Sequence, residues 1–360
     1  MKTAFICFFP VFPTNMGSAE VIRSLFLCWP GRKKLFQISH LNSKNKSNLC
    51  SIKIFKEKPI LKILSIPYLI YKALKYLGKN DKRLIIIEGP SWIGYSFLSL
   101  ILIKIFSPST KVIYHSHSIE FEVRKMTSTK LMALFSKMLE NFVFNNSNLS
   151  TSVSKIEINK IKKLYKVKCI NLKNGVSKKV LKFKKKSFFN FDYIIYCGSY
   201  KYLPNKNAID YLAEVLMPKL LKKFPKLKLV LTGGGYDKDN KYIINAGVVP
   251  KNKLLNLIYN SKLMVLPIDK GTGTRIKIIE ALLIGAKVLT TKKGIEGILF
   301  KNNTFPIVLE KKLFYRSVVK NLRNNIKNKV SNEFNKNYTM EKIVTNFFKN
   351  KHVKNIFKTN

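Results

Sequence analysis

The segment from Leu266 to Gly285 reads LPIDKGTGTRIKIIEALLIG and guides the interpretation of the second half of the chain. An apolar run ends at Pro267, a loop with two glycines and two threonines follows, and the pattern predicts a helix that starts near Thr274. The free N–H groups of the first helical turn would face that loop, which is an arrangement that binds phosphate. The alternative is an ordinary surface turn in which Lys277 and Glu280 pair one helical turn apart.

Similar alternations of strand and helix extend along the chain on both sides of this segment, and the basic run Ser177–Lys186 interrupts them. Such an alternation predicts mostly parallel sheets with helices on both faces. Before the basic run, the predicted strands are Phe5–Phe9, Leu35–Ser39, Leu84–Ile87, Val112–Tyr114 and Leu149–Val153. After it, they are Tyr193–Tyr196, Leu227–Leu231, Ile243–Val249, Leu263–Pro267, Lys287–Thr290 and Pro306–Leu309.

Two alternations predict two doubly wound α/β domains with a cleft between them. We expect an N-terminal, acceptor-side domain over residues 1–185 and a C-terminal, nucleotide-sugar-binding domain over residues 186–335. Residues 336–360 are predicted to be helical and to pack back on the N-terminal domain. Ligands of open α/β sheets bind beyond the carboxyl ends of the strands, so the functional residues are expected in the loops that follow them.

Charge is the most unusual feature of the composition. The 360 residues include 67 Lys and Arg and 19 Asp and Glu, which gives a net charge of +48. This charge excludes the class of acidic proteins and favours anionic partners. Because Lys and Asn are frequent everywhere, compositional drift is the simplest explanation, and attraction to anionic lipid is the alternative. The 5 cysteines form neither a zinc spacing nor a disulfide pattern, which indicates a reducing, cytoplasmic compartment.

Three apolar stretches bear on membranes. Met1–Pro10 is interpreted as a buried strand before a loop, and a short signal peptide ending near Gly17–Ala19 is the alternative. The run Phe97–Phe106 is interrupted by Lys104 and is too short to span a bilayer. The basic stretch Leu61–Tyr76 is either an ordinary surface helix or one that rests on an anionic membrane, peripherally on the inner face.

Four blocks occur in a particular order along most of the chain: Phe12–Ala19, Asn174–Val176, Cys197–Asn205 and Lys277–Ala281. Together they resemble the group 1, family-4-like retaining glycosyltransferases. The resemblance implies the GT-B fold, in which two Rossmann-like doubly wound domains face an interdomain cleft. It also implies a nucleotide-diphosphate sugar as donor substrate and no further cofactor.

The resemblance implies specific roles for the segment that opens this section. Glu280 corresponds to the second of two signature glutamates and would hold the ribose hydroxyls of the donor. Gly273 and Thr274, at the start of the helix, would bind the diphosphate. Thr272 stands where the family has the first glutamate, so a contact to the donor sugar is missing.

The basic residues that would bind the diphosphate also occur at different positions than in the family pattern. Relatives carry an Arg and a Lys at the positions that Ser199 and Asn205 occupy here, and we expect Arg275 and Lys277 to replace them. These cations would also take the role of a metal ion, so no metal site is expected. The pair in Asp237–Asp239 resembles a manganese motif of another transferase fold, but we interpret it as a solvated turn.

Glycines are expected where the backbone approaches the donor. The resemblance assigns Gly17 to the loop after the first strand, although Met16 replaces one of the usual glycines, and Gly198 to the start of the second domain. Gly233 opens the triple glycine Gly233–Gly235, which would let a loop pass close to the nucleotide base or the cleft.

Half of the 4 histidines lie in one short segment. His115 and His117 would share one face of a strand, and a zinc site completed by Glu120 or Glu122 is one interpretation. A histidine held by a backbone hydrogen bond is another. The resemblance favours a third, in which His117 lies near the reacting sugar and acceptor while Glu120 and Arg124 orient the loop.

The resemblance thus implies a retaining, metal-independent glycosyltransferase of the hexosyltransferase type. Its acceptor would be a glycan or a lipid-linked molecule in polysaccharide or cell-surface glycan biosynthesis. One alternative is a basic nucleic-acid-binding protein, suggested by the charge together with 16 Tyr and 25 Phe. Because no nucleic-acid module is recognisable, no nucleic-acid partner is expected. A GT-B-fold sugar-nucleotide epimerase is the other alternative.

Overall fold

The computed structural model describes residues 1–13, 17–42, 47–79, 83–238, 240–271, 274–300, 304–324, 326 and 328–358. The chain divides into two compact units. The first unit comprises Met1–Ser177 together with Thr339–Asn360, and the second comprises Lys178–Tyr338. The chain passes from one to the other at the start of the basic run. None of the described helices is long and apolar enough to span a membrane.

A parallel sheet with the strand order β3-β2-β1-β4-β5-β6-β7 forms the centre of the first unit. Its strands are β1 (Lys2–Cys7), β2 (Arg32–Ser39), β3 (Leu49–Lys53), β4 (Arg83–Glu88), β5 (Lys111–Ser116), β6 (Leu149–Ser152) and β7 (Cys169–Asn171). The connecting helices are α1 (Gly17–Cys28), α2 (Pro59–Leu77), α3 (Ile93–Phe106), α4 (Glu120–Thr127), α5 (Lys130–Asn146) and α6 (Lys155–Tyr165). Helices cover both faces, so the central strands are almost entirely buried.

A second parallel sheet, with the order β10-β9-β8-β11-β12-β13, forms the centre of the second unit. Its strands are β8 (Tyr193–Cys197), β9 (Lys228–Thr232), β10 (Ile243–Asn245), β11 (Leu263–Leu266), β12 (Val288–Thr290) and β13 (Ile307–Val308). The helices are α7 (Leu203–Asp210), α8 (Met217–Leu221), α9 (Lys251–Asn260), α10 (Ile276–Leu283), α11 (Phe314–Arg323) and α12 (Asn332–Tyr338). A π-helical turn, Tyr211–Leu216, joins α7 to α8, and a short 3-10 turn precedes α11.

The last helices of the chain, α13 (Met340–Lys349) and α14 (Lys351–Lys358), belong to the first unit. α13 packs against α1. The ring of Trp29, just after α1, lies 4.9 Å from the ring of Phe348, and the backbone N–H of Met340 donates to the carbonyl of Val176 at 3.0 Å. The C-terminal segment is therefore joined to the first unit by aromatic packing and by backbone hydrogen bonds.

The structure differs from the predicted elements at several points. Strands β3 and β7 were not predicted, because β3 is only partly buried and β7 has 3 residues. β10 ends at Asn245 rather than Val249, because Gly247 takes a φ of 63° and turns the chain. α10 begins at Ile276 rather than near Thr274, because Arg275 has an extended backbone with a ψ of 90°.

Candidate functional site

The loop between β11 and α10 is the donor-binding element predicted in the second unit. Its residues Thr272 and Gly273 lie outside the described residues. Arg275 is the N-cap of α10, and its side chain makes no capping hydrogen bond. The N–H of Ile278 donates to the carbonyl of Arg275 at 2.9 Å, so Ile276 and Lys277 are the residues of the first turn whose N–H groups could bind an anion. Arg275 itself turns back on the loop, where its Nη2 atom donates to the carbonyl of Lys270 at 3.3 Å.

Lys277 is held inside the second unit by the loop that follows β8. Its Nζ atom donates to the carbonyl of Cys197 at 2.6 Å and lies 3.3 Å from Oδ1 of Asn205. It also lies 4.6 Å from the centre of the Tyr196 ring. Burial lowers the pKa of the Lys277 ammonium group to about 8. A cation thus lies directly beside Asn205.

Asn205 connects α7 to the loop after β8. Its Oδ1 atom accepts a hydrogen bond from the Tyr196 hydroxyl at 2.8 Å, and its Nδ2 atom donates to the carbonyl of Ser199 at 2.9 Å. A Cβ atom on Gly198 would lie 2.7 Å from Asn205 Nδ2. Gly198 therefore allows the amide side chain of Asn205 to lie against the backbone, next to Lys277.

The triple glycine after β9 packs against the same loop. Gly233 has a φ of 107°, and a Cβ atom there would lie 2.5 Å from the carbonyl carbon of Gly198. The backbone N–H of Tyr200 donates to the carbonyl of Gly234 at 3.0 Å. Close approach of two backbones is therefore the reason for glycine at Gly233. Asp239, part of the acidic pair that follows, lies outside the described residues.

Glu280 is 4% exposed, on the inner side of α10. Its carboxylate accepts a hydrogen bond from Nζ of Lys251, the first residue of α9. Glu280 thus has a basic partner from another helix, whereas Lys277 turns to the loop after β8. The alternative of a simple surface pair between Lys277 and Glu280 does not describe this arrangement, because both side chains are largely buried. Lys251 was not identified from the sequence.

In the first unit, polar side chains form a row across the carboxyl ends of the strands. In the strand register, Cys7 is paired with Gln37, Glu88 with His115, and His115 with Thr151. Residues in register across a parallel sheet point to the same face. The row therefore brings together side chains that lie far apart in the sequence.

Gln37 holds the loop after β1. Its Oε1 atom accepts hydrogen bonds from the N–H groups of Val11 and Phe12 at 2.9 and 3.0 Å, and its Nε2 atom donates to the carbonyl of Phe12 at 2.7 Å. Gly17 begins α1, and a Cβ atom there would meet nothing within 4 Å of the described residues. Crowding by the described residues therefore does not explain Gly17. Gln37 was not identified from the sequence.

His117 forms a buried pair with Glu88. Its Nε2 atom lies 2.8 Å from Oε2 of Glu88, and Nδ1 of His115 lies 2.8 Å from the hydroxyl of Thr151. Burial raises the pKa of Glu88 above its ordinary value, and the hydrogen bond from His117 opposes that shift. Burial lowers the pKa of His115 well below its usual range, so its imidazole is neutral.

Glu88 replaces the third metal ligand that the sequence suggested. Ligand atoms of Glu88, His115 and His117 lie within 4.8 Å of one another, so this cluster could hold a metal ion. Glu120 and Glu122 were the residues considered from the sequence, and neither belongs to the cluster. Glu88 was missed in the sequence, although an acidic residue at the end of the apolar run of β4 is a signal that could have identified it.

Glu120 lies in the first turn of α4, where a second buried carboxylate holds the helix. Nε of Arg124 donates to Glu120 at 2.6 Å, so the two residues that were expected to orient the loop contact each other. Glu140 accepts hydrogen bonds from the backbone N–H groups of Glu120 and Phe121 at 2.8 and 3.1 Å, and from the Tyr165 hydroxyl. Burial raises the pKa of Glu140 to about 7. Glu140 thus caps α4 and was missed in the sequence.

Two Rossmann-like parallel sheets in one chain define the GT-B architecture, and solved structures share this fold. HepE from Anabaena, solved with UDP and glucose, is 13% identical with a TM-score of 0.66, over 96% of this chain and 98% of that chain. A glycosyltransferase from Rickettsia africae is 12% identical with a TM-score of 0.62, over 99% of both chains. A UDP-forming α,α-trehalose-phosphate synthase from Burkholderia xenovorans is 8% identical with a TM-score of 0.69, over 97% of this chain and 99% of that chain.

The second unit also has a family match at the level of sequence. Residues 192–322 match the family model described as glycosyl transferases group 1. This stretch includes the whole second sheet, the loop before α10 and Glu280. The second unit is therefore similar in sequence to group 1 glycosyltransferases, which confirms the resemblance inferred from the sequence. No curated protein sequence matches the chain.

Proposed function

We propose that the chain is a retaining glycosyltransferase that moves a sugar from a nucleotide-diphosphate sugar to a glycan or lipid-linked acceptor. The match of residues 192–322 to group 1 glycosyltransferases carries this proposal. UDP is the first nucleotide to consider, because the HepE structures contain UDP, UDP with glucose, or UDP-glucose. The second unit would bind the donor, and the first would serve the acceptor.

Stabilisation of the leaving diphosphate is the central chemical task on the donor side. Cleavage of the sugar–phosphate bond leaves growing negative charge on the diphosphate, which fixed positive charge and N–H dipoles stabilise. We assign this role to Gly273 and Thr274, which precede α10 in the sequence, and to Arg275 and Lys277. The uncapped start of α10 and the two cations support the assignment. In this proposal they act in place of a divalent metal ion.

The environment of Lys277 suits binding of an anion. Its pKa of about 8 means that the ammonium form predominates at neutral pH although the side chain is partly buried. A charge in a water-poor site interacts more strongly with a phosphate than the same charge at the surface. Asn205 and the carbonyl of Cys197 keep the ammonium group in place. Binding of a diphosphate would therefore favour the charged form further.

The remaining donor contacts follow from the family pattern. We assign Glu280 to the ribose hydroxyls, because a carboxylate accepts two hydrogen bonds from neighbouring hydroxyl groups. Backbone near Gly17, Gly198 and Gly233 would approach the donor. At Gly198 and Gly233, the close packing of the loops after β8 and β9 gives the backbone a defined position.

On the acceptor side, we propose that His117 lies near the reacting sugar and acceptor and that Glu120 orients the loop beside them. Glu88 would orient His117 through their 2.8 Å hydrogen bond, and Glu140 would hold the α4 turn that carries Glu120. The acceptor hydroxyl attacks the sugar from the face that the leaving group vacates, and a phosphate oxygen of the leaving group takes its proton. This mechanism retains the anomeric configuration and needs no protein nucleophile.

Polysaccharide or cell-surface glycan biosynthesis is the pathway class that we propose. The acceptor would then be a glycan or a lipid-linked intermediate, which places the enzyme in the cytoplasm at the inner face of a membrane. The large positive charge supports attraction to anionic lipid. Nucleic acid is not among the partners that we propose.

Incubation of the full chain with a panel of nucleotide sugars tests the proposal. We expect free nucleotide diphosphate to be released from one donor, faster with acceptor than without it, and we expect UDP-sugars to be turned over first. Interconversion of the sugar without release of the diphosphate would identify an epimerase instead. A comparison with the variant Lys277→Met tests the role of this lysine: the variant should release the nucleotide diphosphate more slowly, because it lacks the cation beside Asn205. Anomeric analysis of the product by NMR tests retention.

A further inference from the structure

Helices α2, α3 and α5 form a layer on one face of the first sheet. α3 contacts both α2 and α5, and α2 also packs on β1 and β2. The inner sides of the three helices share one core with the strands, to which Ile66, Leu100 and Val143 belong. The outer sides of these helices therefore face away from the sheet. Together we call these outer sides of α2, α3 and α5 the apolar face, because many of their side chains are apolar, as described below.

On α5 the outer side is more apolar than a solvent-exposed side should be. Leu131, Leu134, Phe135, Met138 and Phe142 recur at helical spacing on one side of the helix, and their exposed fractions range from 38% to 78%. The inner side of the same helix contains Ser136 and Glu140. The usual distribution of polar and apolar residues is thus partly reversed, which indicates an apolar environment outside.

On α2 the same pattern is present. Ile60, Leu64, Tyr68 and Tyr71 are exposed along one side of the helix, whereas Leu69 and Ile70 are buried beneath them. At least half of each of these four outer side chains is exposed. The apolar face therefore extends beyond α5, to the other border of the layer.

Half of the exposed large apolar side chains in the described part of the chain lie on these three helices. Of 24 such residues, 12 belong to α2, α3 and α5. Soluble monomers rarely expose such a concentration of apolar side chains unless a partner covers it.

The charge on these helices identifies the chemistry of the partner. They contain six lysines and a single acidic residue, Glu140, which is buried: the lysines are Lys62, Lys72, Lys75, Lys104, Lys130 and Lys137. A second copy of the chain docked through the same face would bring like charges together. Nucleic acid would match the lysines but not the exposed leucines and phenylalanines. An anionic lipid surface satisfies both, because headgroups attract lysine and the acyl boundary accepts apolar side chains.

We propose that the apolar face docks on an anionic lipid bilayer, with the outer side of α5 inserted at the boundary between headgroups and acyl chains. This inference deepens the membrane location of the proposed function and rests on it, but it concerns residues separate from the donor-binding loop. It identifies α5 as an insertion element, whereas the sequence suggested only the basic stretch of α2.

Vesicle flotation of the full chain tests the proposal. We expect the protein to float with vesicles of phosphatidylcholine and phosphatidylglycerol and to remain at the bottom with phosphatidylcholine alone. Phe135→Ser combined with Met138→Ser should lower the bound fraction about tenfold or more, because the inserted apolar area is lost. The control is Val248→Ser combined with Leu299→Ser, which changes two apolar residues of the second unit that are 80% and 60% exposed and should have no effect.

Removal of charge gives an independent measurement. Lys130→Gln combined with Lys137→Gln should weaken binding by about fivefold per lysine, and high salt should weaken the wild type in the same direction. Circular dichroism melts of all variants check that the first unit remains folded. If the α5 apolar variant floats as well as the wild type, charge alone causes binding and the proposal is wrong.

Two further readouts separate this proposal from its rivals. Light scattering after size-exclusion chromatography would show a dimer that the α5 apolar variant dissociates if a second copy covers the apolar face, and that result would overturn the proposal. UDP binding by calorimetry should be equal in the wild type and in the α5 variants. A chain that binds UDP but no vesicles refutes the docking inference alone. A chain that floats but turns over no nucleotide sugar refutes the proposed function alone.

Discussion

Replacing Glu280 by glutamine is the sharpest test of the donor site. Glu280→Gln keeps the size and shape of the side chain and removes its negative charge. Glu280 is 4% exposed and accepts a hydrogen bond from Lys251, so a change in solvent exposure at this position should be small. The substitution therefore alters the strength of the hydrogen bonds that this group accepts more than it alters the fold.

The expected loss can be worked from the strength of such hydrogen bonds. A hydrogen bond to a charged group contributes about 1.5–3 kcal/mol, against about 1 kcal/mol for a neutral one. Since 1.4 kcal/mol corresponds to a factor of ten in a dissociation constant, complete loss of the ribose bonds to Glu280 would weaken UDP binding about 10- to 150-fold. Glutamine retains an acceptor oxygen, so we expect the lower end of that range for Glu280→Gln.

Lys251→Met is the control, because it removes the same salt bridge without altering the carboxylate. Both substitutions should lower the melting temperature, since each removes the salt bridge between Lys251 and the buried Glu280 carboxylate. Only Glu280→Gln should weaken UDP binding strongly, because Lys251 is assigned no contact with the nucleotide. The two variants together thus separate a structural role of the pair from a role in binding.

Isothermal titration calorimetry of the full chain with UDP provides the measurement. We expect Glu280→Gln to raise Kd about tenfold or more and Lys251→Met to change it by less than about threefold. Equal Kd values for the wild type and Glu280→Gln would refute the ribose assignment. An equal loss in both variants would show that the salt bridge, and not the ribose contact, carries the effect.

Three other predictions concern the loops and the first unit. The UDP affinity of the wild type, divided by that of Lys277→Arg, should fall as the pH rises through about 8. Lys277 loses its proton in that range, and the diphosphate binds the charged ammonium form more strongly. A ratio of the two affinities that stays constant with pH in calorimetry would contradict this. Gly233→Ala should lower the free energy of unfolding, measured in urea, by about 2 kcal/mol or more, because the added Cβ atom would collide with backbone atoms. Gly285→Ala should lower the free energy of unfolding by less, because Gly285 also has a positive φ, 84°, but its Cβ would enter open space. Glu88→Gln should lower kcat about tenfold through His117 without changing UDP affinity, and an unchanged kcat would exclude the positioning role.

The fold class could be predicted from the sequence, because it depends on local patterns. Apolar runs of strand length, separated by helical stretches, specify doubly wound sheets whatever the details of packing. The boundaries were less accurate where a single backbone angle decides them, as at Gly247 after β10 and at Arg275 before α10. The edge strand β3 and the short β7 escaped notice because each has only a weak apolar pattern.

The candidate residues followed partly from the sequence and partly from tertiary structure. The resemblance located Glu280 and His117, because signature residues are recognisable one position at a time. Their partners were not recognisable in that way. Glu88 precedes His117 by 29 positions and Lys251 precedes Glu280 by 29 positions, so local patterns do not connect them.

The sequence by itself determined the two alternating α/β halves, the positive charge and the segment that leads into α10, since these are properties of neighbouring residues. Only the tertiary structure decided that Lys277 lies partly buried beside Asn205, that Glu88 pairs with His117, and that one side of α5 is left apolar. The physical reason is that strand order and helix packing choose which distant side chains meet. A buried charge then acquires its partners, and its pKa, from the neighbours that the fold supplies.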